Sequence, residues 1–152
     1  MEISQQEAAA EMIDTFAMFD EWEDRYRFLI DLGKELPPFP EAEKTDVNKV
    51  HGCQSNVWLI ANAPNGSEEI DFIADSDAHI VRGLIAILRR IYAGRSAEEI
   101  LEFDISGLMQ EIGLDQHLST GRRNGLAGMV ARIKRLASEL LDAKAETGVL
   151  PA

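Results

Sequence analysis

The stretch from Val57 to Ala74 constrains the fold most strongly, because its apolar residues leave the helical spacing kept on both sides of it. Val57-Trp58-Leu59-Ile60-Ala61 is a short apolar run that reads as a strand. Pro64-Asn65-Gly66-Ser67 is a turn signal, and Glu69 to Ala74 alternates in part, with Ile70, Phe72 and Ile73 apolar. The spacing predicts a β-hairpin, 57–62 with 69–74. Two or three strands in mid-chain, with helices before and after, imply an α+β layered domain.

The flanks supply the helices. Ser4 with Glu7 is a capping-box pattern, and Met12, Ile13, Phe16 and Phe19 fall on one stripe, so 4–19 reads as an amphipathic helix. Asp20 and Glu23 repeat the start signal. Trp22, Tyr26, Leu29 and Ile30 continue at helical spacing to Gly33, a stop. Pro37-Pro38-Phe39-Pro40 cannot lie inside a helix, since proline lacks the amide donor, so 34–46 is a loop. Residues 45–50 are expected to be extended. After the hairpin, Asp75-Ser76-Asp77 supplies an N-cap for a helix with the stripe Ile80, Leu84, Ile87, Leu88 and Ile91, ending at Gly94. Ser96 and Glu99 start a short helix, and Phe103 to Ile112 forms another, broken at Gly113. The last helix begins near Thr120 or Gly121 and carries Leu126, Met129, Val130, Ile133, Leu136, Ala137 and Leu140, fraying from about Ala145. The expected organisation is one domain over 1–152: N-terminal helices 4–33, a cysteine loop and hairpin 45–74, and C-terminal helices 77–142.

Charge narrows the partners. The net charge of −12 argues against nucleic acid or an anionic membrane, since phosphate binding needs clustered Lys and Arg. It suits solubility, or docking on a basic surface of another protein. No run approaches transmembrane length, and the start lacks the basic flank and apolar stretch of a signal peptide. With a single cysteine and so no internal disulfide, the expectation is a reducing, cytoplasmic setting.

That cysteine, Cys53, lies in Val50-His51-Gly52-Cys53-Gln54-Ser55-Asn56-Val57, where a loop feeds the first strand. Gly52 permits a tight turn just before the sulfur, and Gln54, Ser55 and Asn56 can hold such a turn. A lone thiol in such a place can act as a nucleophile through its thiolate, at a rate set by thiolate fraction, nucleophilicity and access. The bland reading is a buried, inert cysteine. His51 lies two residues away, where a charged imidazole would favour the thiolate. An exposed loop histidine without a role is the simpler reading.

Gly52-Cys53-Gln54-Ser55 followed by Val57-Trp58 resembles the signature of the SufE family. The resemblance continues in Asp75-Ser76-Asp77 with Ile80-Val81-Arg82-Gly83-Leu84-Ile85. It returns in His117-Leu118-Ser119, Arg122, Asn124-Gly125-Leu126 and Met129, and runs from about Ile13 to about Leu140. It implies a small antiparallel sheet packed against helices, similar to the IscU scaffold fold. It also implies a persulfide carrier that takes sulfur onto Cys53 from a SufS-like or CsdA-like cysteine desulfurase. Such a carrier stimulates that enzyme and delivers sulfur to a SufBCD-type scaffold. Pyridoxal phosphate would belong to the desulfurase, with no cofactor on this chain, which is expected to be a monomer or weak dimer.

Gly52, Gln54 and Ser55 would shape the cysteine loop. Asp75, Asp77 and Arg122 match family blocks and, with His51, are candidate contacts to partner or sulfur. For the two aspartates helix capping is the competing reading, and for Arg122 a plain surface arginine at a helix start. Gly125 and Gly128 are read as allowing close helix packing. A metal site finds a poor ligand set in Cys53, His51, His79 and His117. The competing functional classes are a non-catalytic interaction module and a Cys–His hydrolase using His79 or His117.

Overall fold

The hairpin forms as the sequence predicts. In the computed structural model, which describes residues 3–52, 55–62 and 69–147 (side chains to 143), β1 (Val57–Asn62) pairs antiparallel with β2 (Glu69–Ser76). Val57 lies opposite Ser76, Leu59 opposite Ala74 and Ala61 opposite Phe72. Alternation then puts Val57, Leu59, Ile70, Phe72 and Ala74 on one face, where each is buried, and leaves Trp58, Ile60 and Ile73 half-buried on the other. The turn at Pro64–Ser67 lies outside the described residues. A two-residue strand not anticipated from sequence, β3 (Arg95–Ser96), completes the order β1-β2-β3. Gly94 (φ +79°) redirects the chain into it and donates its amide to Ile70.

Helix α1 (Gln5–Ala17) is capped by Ser4, whose Oγ accepts from the Glu7 amide. Helix α2 (Trp22–Lys34) follows, and then the central α3 (His79–Tyr92), whose Leu84, Ile85, Ile87, Leu88 and Ile91 are fully buried. Two expectations for α2 are corrected. Its N-cap is Glu21, with no side-chain cap, in place of Asp20. Gly33 lies inside the helix and does not stop it. The reason is packing: a Cβ at Gly33 would strike the backbone of Arg82 and Gly83, and one at Gly83 would overlap the carbonyl and side chain of Leu29. The two glycines let α2 and α3 cross at backbone contact.

Helix α4 (Ala97–Glu102) has the full Ser96–Glu99 capping box, and α5 (Ile105–Ile112) is capped by Asp104 and ended by Gly113 at φ +89°. A single turn, α6 (Leu114–His117), leads to α7 (Thr120–Thr147), whose start Ser119 caps by accepting from the Arg122 amide. The backbone of α7 continues through Ala145 to Thr147. Met129, Ile133 and Ala137 are fully buried, as their stripe predicts. The result is a small antiparallel sheet with α3 against β2 and α7 against β1.

Candidate functional site

The chain enters the cysteine segment alongside the strand by which it leaves. The Val50 amide donates to the Val57 carbonyl at 2.8 Å and the Leu59 amide to the Asn48 carbonyl at 2.9 Å, with Lys49 facing Trp58 between them. These bonds pin Val50 and Val57, the two ends of the segment that carries Cys53, against each other. The expected extended run over 45–50 is real only at its end, since 45–48 is a turn and only Lys49 and Val50 are extended. Gly52 sits at φ +94°, where a Cβ would meet nothing within 4 Å, so backbone conformation and not space calls for glycine there. Cys53 and Gln54 lie outside the described residues.

The loop's exit is held by Asp77. The Asn56 amide donates to its Oδ1 at 3.1 Å and the Asn56 Nδ2 to its Oδ2 at 2.9 Å, while the Asp77 amide donates back to the Asn56 carbonyl at 3.3 Å. This corrects the capping expectation. The N-cap of α3 is Ala78 without any side-chain cap, because β2 runs on through Asp75 and Ser76 to pair with Trp58 and Val57. The Ser76 hydroxyl accepts from the Ala78 amide and does not cap α3. Asp75 is largely enclosed beneath two cations, Lys44 Nζ at 3.3 Å and Arg82 Nε at 3.1 Å. The Arg82 contact is an ion pair and not a hydrogen bond, its Nε meeting no acceptor in good alignment. Lys44 also bonds Glu41 at 2.8 Å and lies over the Trp58 ring at 5.3 Å. The bond to Glu41 and then Asp75 hold its pKa above the usual lysine value. Asp75 thus ties the segment before the loop to β2 and α3.

The loop's entry rests on α7. Arg132 spreads its guanidinium over three backbone carbonyls, Nη1 donating to Asn48 (3.2 Å) and Lys49 (3.0 Å) and Nη2 to Val47 (3.0 Å). One turn earlier, Gly128 brings α7 against the loop itself. A Cβ there would stand 3.2 Å from Val50 Cγ1 and 3.3 Å from the His51 carbonyl. The expected close packing at Gly128 is therefore against the cysteine segment and not a helix. Sequence reading missed Arg132. The available signal was its spacing of four from Gly128, at the margin of the apolar stripe of α7, which a solvated-face reading absorbs.

The other candidates scatter. His51 is exposed, and Ser55 is half-buried at the loop's exit. Arg122 is exposed in the first turn of α7. His79 is exposed at the start of α3. His117 is committed elsewhere: its ring stacks on Trp22 at 3.7 Å and its carbonyl accepts from Tyr26. Among the described residues no three His, Cys, Asp or Glu side chains gather as a metal site, and no helix is long and apolar enough to cross a membrane.

A pinned loop carrying the sole cysteine, on a three-stranded antiparallel sheet backed by helices, defines the class. Residues 10–137 match the family model SufE, Fe-S metabolism associated domain. The chain is 50% identical to an uncharacterized SufE-like protein of Rhizobium meliloti (strain 1021) over 135 residues, covering 88% of this chain and 96% of that one. It is 47% identical to another from Rhizobium etli over 129 residues, covering 84% and 87%. The solution structure of a hypothetical protein from Thermus thermophilus shares the fold, with a TM-score of 0.71 at 22% identity over 89% of this chain and 96% of that one. The chain belongs to the SufE family, and membership supports a sulfur-transfer role in iron–sulfur metabolism.

Proposed function

We propose that this chain is a persulfide carrier. The Cys53 thiolate attacks the outer sulfur of a cysteine persulfide on a pyridoxal-phosphate cysteine desulfurase. A new S–S bond forms to Cys53, the donor's S–S bond breaks, and the donor cysteine leaves as a thiolate, so one sulfur atom moves with no net oxidation. The pyridoxal phosphate serves the donor, and this chain needs none for the exchange. Clearing the donor's persulfide frees it for another turnover, so stimulation follows from the transfer itself. A thiol on the final acceptor, a SufBCD-type scaffold in our reading, repeats the step on Cys53.

The observation that carries this reading is the frame of the cysteine loop within a SufE-family chain. Arg132 and Gly128 set its entry, Asp77 its exit, and Gly52 supplies the left-handed turn before the sulfur. A loop fixed at both ends presents a reacting group at low entropic cost. The partner is a SufS-like desulfurase, with a CsdA-like enzyme as the alternative donor. Alanine formation by each, with free cysteine as substrate, tests the proposal. The unaltered chain is expected to raise turnover and Cys53→Ser to leave it at the basal rate. Equal stimulation by both proteins would overturn the carrier in favour of an allosteric binder.

A further inference from the structure

Beside the cysteine loop, the edge of β1 opens into a groove. Residues 48–50 cover that edge only as far as Leu59. Beyond Asn48 the chain turns away, the Asn48 amide donating to Thr45. Because Val57 and Leu59 bond toward 48–50, alternation points the Ala61 amide and carbonyl the same way, together with the Leu59 carbonyl. Among the described residues nothing continues the ladder there. Leu59 and Ala61 line a groove of about 720 Å³ together with Arg132, Arg135 and Leu136 of α7 and with Val47 and Lys49.

The charge of the groove is the reverse of the chain's. Residues 116–138 carry Arg122, Arg123, Arg132, Lys134 and Arg135 without one carboxylate, in a protein of net charge −12. Among the described residues that line the groove, Glu139 alone is acidic. Arg132 spends its donors on carbonyls, which leave its charge uncancelled, and Arg135 is exposed. Val47, 84% exposed at the rim, adds an apolar contact.

We propose that an extended acidic segment of the sulfur donor adds as a strand to β1 at Leu59–Ala61, its carboxylates reaching Arg135 and Lys49. Backbone bonds supply affinity in such strand addition, and the flanking charges supply selection and rate. The expectation that an acidic chain docks on a basic partner surface is thereby inverted next to the cysteine. The inference rests on the carrier reading and deepens it.

Two substitutions separate its parts. Ala61→Pro removes one outward amide from an edge strand, where proline is tolerated, and Arg135→Glu reverses the charge. Lys34→Glu, the same charge change on α2, is the control. Affinity is measured for a cysteine desulfurase that sulfurates the unaltered chain, at two salt concentrations. Each groove variant is expected to weaken binding about tenfold, while the control stays within about twofold. Arg135→Glu should also flatten the salt dependence. In the unaltered chain, amide exchange at Ala61 should slow on binding, a readout that stands even if Ala61→Pro folds poorly. Unchanged affinity and unchanged Ala61 exchange would overturn the groove while leaving the carrier intact. Self-association lost in Ala61→Pro, with desulfurase binding unaffected, would overturn it in favour of edge pairing between copies. No desulfurase that binds or sulfurates the unaltered chain would overturn both readings.

Discussion

Asp77 carries two hydrogen bonds from one neighbour, and both of its oxygens are spent on the exit of the cysteine loop. Asp77→Ala should cost only about 0.5–1.5 kcal/mol, because the site is exposed and water replaces the lost partner. Its larger effect is expected on the loop: alkylation of Cys53 should accelerate severalfold in the free protein. An unchanged alkylation rate would mean that the clamp does not govern access to the thiol. Arg132 differs in kind, since its fork serves three backbone carbonyls at once. Arg132→Met should lower stability by about 1–3 kcal/mol in urea unfolding, and Arg132→Lys should not restore it, an ammonium being unable to span the three acceptors. Full recovery with lysine would show that charge alone matters there.

Helices and strands divide into those legible from spacing and those set by contacts distant in sequence. The stripes of α3 and α7 and the hairpin were legible because burial on one face writes a period into the chain. The start of α3 was not. Asp75-Ser76-Asp77 has the composition of a cap, but pairing with Val57 and Trp58 extends β2 through it, and Asp77 serves a loop 21 residues upstream. Gly33 misled for a similar reason. Its meaning lies in Gly83, fifty residues on, and only the crossing of α2 over α3 reveals the pair. The cysteine loop was legible as a motif, whereas its frame was not, since Arg132 and Gly128 read as ordinary helix positions. Gly83→Ala tests the crossing. With Leu29 in overlap it should cost about 3 kcal/mol or more, or prevent folding, as seen in the thermal midpoint. A loss below about 1 kcal/mol would show that the helices separate cheaply.

At the level of the whole protein, one buried hydroxyl is left without a hydrogen-bond partner among the described residues. Tyr92 is fully buried against Phe103, its hydroxyl has no partner among the described residues, and burial, aided by the charge of Asp104, pushes its pKa up to about 12. The folded state therefore holds the phenol proton while the unfolded chain releases it near 10. The unfolded state binds fewer protons in that interval, so stability is intact below pH 10 and falls as pH rises toward 12. Tyr92→Phe should leave stability at neutral pH unchanged or higher and remove about 2–3 kcal/mol of that alkaline loss. An undiminished alkaline slope would place the titration elsewhere. The claim on which the rest depends is that the sole cysteine accepts sulfur. Intact-mass analysis after mixing the chain with a SufS-like desulfurase, pyridoxal phosphate and free cysteine tests it most directly. The account predicts a gain of one or more sulfur atoms, removed by reductant and absent in Cys53→Ser. No gain from an active SufS-like enzyme, and none from a CsdA-like one, would contradict it.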